Sequence, residues 1–123
     1  MIDTSILIDY FRKTDKANSK LIAHFRAYDQ IFISSITEFE IFNGATETHK
    51  QFWESMLAGI TILDFDGNAA RTAADIVAQL KTKRKTIDKP DLFIAATAIV
   101  HDLPFDTLNL KHFMDIEGLK LLD

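Results

Sequence analysis

The sequence predicts an α/β domain in which a mainly parallel central sheet is covered by helices on both faces. Short runs of β-branched and aromatic residues alternate with segments of helical periodicity along the whole chain. One late segment, L-F-I-A-A-T-A-I-V, is apolar on nearly every side, which marks a buried central helix. With 123 residues and 47% hydrophobic composition, the chain can bury one core of ordinary size and is too short for two domains. Alternating elements favour parallel layers, and ligands of such folds gather outside the carboxyl ends of the strands.

The elements follow in order. Met1 and Ile2 form a very short apolar stretch ending at Asp3, a shortness that a natural start a few residues upstream would explain. Ser5 to Arg12 then places Ile6, Leu7, Tyr10 and Phe11 on one helical face. A second helix is predicted from Ala17 to Tyr28 on the spacing of Leu21, Ile22 and Phe25. Gln30 to Ile36 reads as a strand leading into a third helix around T-E-F-E, which Gly44 suits as a terminus. Thr48 to Ala58 carries Phe52, Trp53, Met56 and Leu57 at helical spacing, with Gly59 closing it.

Ile60 to Phe65 is a third strand, and Asp66 is placed to cap a long helix from Asn68 to about Lys83. Pro90 suits the first position of the buried helix. Phe105 to Thr107 and Lys120 to Leu122 supply two more strands, with a helical turn around Leu110 to Phe113 between them.

Composition closes several chemistries. The chain has no cysteine, which removes thiolate catalysis, disulfides and cysteine-based zinc sites. No apolar run is long enough to span a bilayer and no signal-peptide pattern opens the chain, so the protein is expected in the cytoplasm, away from the membrane. Four glycines, with no Walker-type loop, dinucleotide fingerprint or G-x-S-x-G, make phosphate cradling by backbone improbable. The net charge of −4 argues against a wholly basic nucleic-acid surface, but Lys81, Lys83, Arg84 and Lys85 form one dense cluster, with Lys89 just beyond. That cluster is either a solvated helix end or a guide for a polyanion.

Three carboxylates fall where a parallel sheet places its site: Asp3 after the first strand, Glu40 just inside the third helix, and Asp91 opening the buried helix. Taken singly, each has a structural role. Asp3 serves as an N-cap, Glu40 completes a T-x-x-E capping box with Thr37, and Asp91 is a first-turn acid after Pro90. Taken together they imply more. Carboxylates brought within ~5 Å repel by about 3 kcal/mol per pair at an effective dielectric near ~20, and a divalent cation removes that repulsion. An all-oxygen set selects Mg²⁺ or Mn²⁺ over zinc. The four histidines, His24, His49, His101 and His112, show no metal-ligand pairing and read as surface or structural residues; His112, near Asn109, is the one placed to touch substrate.

Four blocks carry a family resemblance that covers nearly the whole length. They are M-I-D-T-S-I-L-I-D-Y, S-S-I-T-E-F-E-I-F-N-G-A, K-P-D-L-F-I-A-A-T-A and F-D-T-L-N-L-K-H-F with I-E-G-L beyond. On these the chain resembles PIN-domain nucleases, and within them the VapC-type toxins. The resemblance implies a three-layer PIN-like fold spanning 1–123 and a Mg²⁺- or Mn²⁺-dependent endoribonuclease, the toxin of a type II toxin–antitoxin pair. It assigns the metal to Asp3, Glu40 and Asp91, with Ser5 a polar neighbour touching substrate. The last block departs from a fourth acid: the motif position holds Asn109, which accepts hydrogen bonds but brings no charge to a second cation. Asp106 and Asp115 lie nearby and read as exposed strand-end acids. The resemblance further implies an RNA substrate, a cognate antitoxin and a homodimer, and on this hypothesis the basic segment Lys81 to Lys85 guides the RNA.

Two other readings stand beside it. One is a nuclease acting on DNA or in RNA processing, since carboxylates do not distinguish the sugar. The other is a binding module that kept the fold and lost turnover, for which the missing fourth acid is the one support.

Overall fold

The computed structural model describes residues 1–122. In chain order the elements are α1 (Thr4–Arg12), a 3-10 turn (Lys16–Asn18), α2 (Lys20–Ala27), β1 (Phe32–Ser34), α3 (Ser35–Gly44), α4 (Glu47–Leu57) and β2 (Thr61–Leu63). Then come α5 (Gly67–Thr82), α6 (Lys89–Val100), β3 (Pro104–Phe105), α7 (Leu110–Phe113) and β4 (Lys120–Leu121).

All the strand pairing is parallel. β1 pairs with β2 through Ile33 and Ile62, and β3 pairs with β4 through Phe105 and Leu121. The N-terminal segment joins the two pairs: Ile2 forms a parallel bridge with Asp106, and its N–H donates to the Phe32 carbonyl at 3.0 Å. The predicted first strand is therefore a single bridge, because the chain offers two residues before Asp3 ends the run.

Successive strand side chains point to opposite faces, and this sheet separates two cores. Ile2, Ile33 and Ile62 face a cluster with Ile6, Leu7, Leu21 and Trp53 from α1, α2 and α4. Met1, Phe32 and Leu63 face the other side, where Leu92, Ile94, Phe105 and Phe113 pack with Ile76 and Leu80 of α5. The helices thus cover both faces, the architecture the alternation predicts. Helix α6 buries Leu92 and every residue from Ile94 to Ala98, as its uniformly apolar sequence requires.

Several boundaries differ from expectation. The helix predicted over 17–28 is broken at Ser19, whose hydroxyl donates to the Lys16 carbonyl and accepts from the Ile22 N–H; a polar residue that caps a new helix ends the turn before it. The strand predicted over 30–36 stops at Ser34 for the same reason, its Oγ accepting from the Ile36 N–H at 3.0 Å. With α3 starting at Ser35, the Thr37–Glu40 capping box does not exist: Thr37 is fully buried and Glu40 is mid-helix. Pro90 is the second residue of α6 rather than the first. Asp66 caps α5 as read, accepting from the Ala69 N–H at 3.0 Å.

Candidate active site

The first acid is held by its own turn. Asp3 follows the N-terminal bridge, takes an extended backbone and caps α1, its Oδ1 accepting from the Ser5 N–H at 3.1 Å. The Ser5 hydroxyl donates to the same oxygen, and the Thr107 hydroxyl donates to Oδ2 at 2.6 Å. Asp3 is only 3% exposed. Burial raises its pKa above the usual 3.8, the bonds from Ser5 and Thr107 oppose that rise, and the charge of Asp91 adds to it. A buried carboxylate gripped from two directions is held in one orientation.

Glu40 reaches the same place from α3. Its Oε1 accepts from the Thr4 hydroxyl at 2.6 Å, and Thr4 Oγ1 also lies 3.2 Å from Thr37 Oγ1. The residue after Asp3 thus fixes the second acid. Asp91 arrives on the first turn of α6, where its charge complements the helix dipole. Its Oδ2 is 3.0 Å from His112 Nδ1, on α7.

Asp3, Glu40 and Asp91 line one open cavity of about 570 Å³, together with Ser5, Arg12 and Asn109. It lies at the carboxyl end of the parallel segments, where the fold class places a ligand. Among the described residues, no group of three Asp, Glu or His side chains stands close enough to grip one ion together. The donor chemistry nevertheless suits a hard divalent cation, being all oxygen and without thiolate or paired imidazoles.

The other sequence candidates separate. Asn109 lines the cavity, and its N–H donates to Thr107 Oγ1 at 2.9 Å. Ser5 Oγ accepts from the Leu108 N–H at 3.0 Å as well as donating to Asp3, so it ties the acid to the 107–109 segment. The basic cluster is exposed at the end of α5, with Lys81 in its last turn and Lys83, Arg84 and Lys85 just beyond. There Arg84, at φ 57°, turns the chain back so that the Lys85 N–H meets the Leu80 carbonyl. Two of the four cations then reach the 115–117 segment. Lys83 pairs with Glu117 at 3.5 Å and Lys85 with Asp115 at 3.9 Å. Lys85 also lines a smaller cavity, about 200 Å³, that shares Asp91 with the acidic one and has His112 on its wall.

Asp106 is a correction. It is 3% exposed, not an exposed strand-end acid, because the bridge to Ile2 buries it and Lys20 and His24 converge on its carboxylate at 3.1 and 2.6 Å. His24 is accordingly structural. Asp115, half-buried, pairs with Lys85, and its carbonyl accepts from Gln79.

Sequence reasoning did not single out Thr4, Thr107 or Arg12. Thr4 and Thr107 each stand within a residue of a marked position, and hydroxyls beside acids were the available signal. Nothing in the sequence placed Arg12 on the same wall as Glu40.

Comparison with known proteins identifies the family and agrees with the fold. A family model described as PIN domain matches residues 1–113. Ribonuclease VapC1 of Rickettsia felis is 36% identical over 130 residues, covering 99% of this chain and 93% of the relative. Among solved structures, DNA-bound VapBC from Salmonella typhimurium superposes with a TM-score of 0.86 at 27% identity, covering 100% of this chain and 96% of that one. A toxin–antitoxin complex from Klebsiella pneumoniae gives 0.76 at 30% identity, with 99% and 94% covered.

Proposed function

The chain belongs to the PIN-domain family, among relatives named VapC ribonucleases, and from that premise we propose that it is a metal-dependent endoribonuclease and the toxin of a type II toxin–antitoxin pair. The single observation that carries the reading is the convergence of Asp3, Glu40 and Asp91, from three different elements, on one open cavity. A capping role explains Asp3 and a first-turn position explains Asp91; neither explains the shared cavity or mid-helical Glu40.

Asp3, Glu40 and Asp91 would hold the cation, Mg²⁺ or Mn²⁺. When bound, such an ion supplies Lewis acidity toward a phosphate oxygen and lowers the pKa of a water. The protein's own groups divide the remaining work. Asp3, with both oxygens already accepting hydrogen bonds, is the fixed anchor. Glu40 accepts from Thr4 through Oε1 and Asp91 meets His112 through Oδ2, so each keeps an oxygen for a water and its proton. Asn109 orients water or substrate at the rim, and Lys81, Lys83, Arg84 and Lys85 attract RNA from outside. Asn109 in place of a fourth acid favours one bound ion.

The partner in this reading is a cognate antitoxin, as in the Klebsiella pneumoniae complex, with a homodimer of the toxin. No helix among the described residues is long and apolar enough to cross a membrane. The test is cleavage of a labelled single-stranded RNA by wild type and Asp91→Ala with Mg²⁺, Mn²⁺ or EDTA, beside a 2′-deoxy copy. Cutting of RNA alone, by wild type alone and only with metal, is expected. A silent wild type, or an Asp91→Ala variant that cuts equally well, overturns the proposal.

A further inference from the structure

Beyond the acidic cavity, α1, α3 and α4 enclose a second one of about 230 Å³ that shares three wall residues with it: Ile8, Arg12 and Glu40. Its other walls are of a different kind. Phe11, His49 and Trp53 supply three rings, and Gly44 leaves one side bare. The rings form a packed group, His49 edge-on to Phe11 with centroids 4.9 Å apart and Trp53 tilted against Phe11 at 5.3 Å. Trp53 is the buried floor, Phe11 is half-buried and His49 is exposed. Arg12, exposed at the mouth, is the cation nearest the shared wall.

We propose that this cavity receives the nucleobase next to the scissile phosphate, and that Arg12 holds the backbone phosphate joining that nucleotide to the cut. The inference rests on the reading of the acidic cavity as an RNA-cleaving site. Single-stranded RNA is recognised by bases splayed onto aromatic rings and hydrogen-bonded at their edges, with cations on the phosphates between. This cavity joins those features one wall away from the acids. The half-buried Phe11 ring and the exposed His49 ring offer faces for stacking, with Trp53 beneath them, and His49, whose Nδ1 meets Thr46 Oγ1 at 2.9 Å, offers its other nitrogen as a polar edge. A purely apolar occupant would leave Glu40 and Arg12 unused. A phosphate alone would find one cation and three rings. The assignment makes Phe11, Arg12 and His49 specificity-determining residues, selecting the base at one position beside the cut.

Gly44 gives a clean perturbation. It is the last residue of α3 and lines the cavity, and a Cβ built there meets no atom within 4 Å, so a side chain can start from this wall without a backbone clash and Gly44→Leu should narrow the cavity. Trp53 is the only tryptophan in the chain, so its emission reports occupancy directly. The experiment titrates wild type, Gly44→Leu and Arg12→Gln in EDTA, where nothing is cut, with a short single-stranded RNA and with an otherwise identical strand abasic beside the cut position. Wild type should show saturable quenching of Trp53 by the RNA and far less by the abasic strand. Stacking of one base predicts roughly five- to hundred-fold weaker binding of the abasic strand and by Gly44→Leu. Arg12→Gln should weaken both strands alike. Equal binding of the two strands, or Gly44→Leu binding RNA as wild type does, overturns the proposal. So does a Gly44→Leu variant that binds RNA normally but loses the antitoxin, which would make the cavity a protein-docking groove. Quenching without cleavage under metal would leave this subsite standing and remove the nuclease reading.

Discussion

Thr107→Val removes one hydroxyl and almost no volume, and the structure says where its effect must appear. Thr107 is 2% exposed and donates to Oδ2 of Asp3, itself 3% exposed, at 2.6 Å. Water cannot easily replace that donor. A hydrogen bond to a charged acceptor contributes about 1.5–3 kcal/mol, which for a domain of this size lowers the melting temperature by roughly 5–15 °C. The Asn109 N–H, which also meets Thr107 Oγ1, belongs to an exposed residue and turns to solvent at little cost. Because the loss belongs to the bond with Asp3, it should shrink by at least ~1 kcal/mol when Thr107→Val is made in Asp3→Asn, where no charge remains to be satisfied. Thermal melts of the four proteins complete that double-mutant cycle. The same variant should need roughly 10–100-fold more Mg²⁺ for half-maximal cleavage, as loss of a partner that orients a ligand usually does. Effects that add within ~0.5 kcal/mol, with an unchanged metal requirement, would refute the claim that Thr107 acts through Asp3.

Three further predictions follow. Burial lifts the folded pKa of Asp3 above 3.8, so its contribution to metal-free stability is fully present below that value and is lost as pH rises through the folded pKa; in EDTA, Asp3→Asn should melt above wild type at pH 7, and the gap should close as pH falls toward 3.8. Phe113 is fully buried against Phe105, with ring centroids 4.9 Å apart, so Phe113→Ala should cost about 3–5 kcal/mol in urea unfolding; a loss under ~1 kcal/mol would show that the α7 side of the core is not packed as described. Lys81→Ala and Arg84→Ala should each weaken RNA binding and flatten the log–log salt dependence by about 0.7, measured by filter binding at several salt concentrations, whereas unchanged slopes would return the basic cluster to a solvated helix end.

Much of the fold was legible because the physics was local. Alternation of strand and helix, the apolar run of α6 and the Asp66 cap each sit within one stretch of chain, and the structure has them. What was misread turned on competition between neighbouring caps. Ser19 and Ser34 start new helices where periodicity alone would run on, and once Ser34 caps α3, Glu40 loses its supposed structural role and becomes a residue aimed at the cavity. The residues lining the site were partly legible for a related reason: acids at strand ends can be marked one by one. Their supports could not be marked, because Thr107 meets Asp3 across 104 positions and Thr4 meets Glu40 across 36. Asp106 shows the reverse error, an acid read as exposed because nothing nearby in sequence announces that Lys20 and His24 fold onto it.

The central claim is that a hard cation, on binding, draws Asp3, Glu40 and Asp91 from the walls of their shared cavity into one site. Crystals soaked in Mn²⁺ and measured at the manganese absorption edge test it most directly. The account predicts one anomalous peak between the three carboxylates in wild type and its loss in Asp91→Ala. No peak at millimolar Mn²⁺, or a peak whose ligands exclude Asp3, would contradict it.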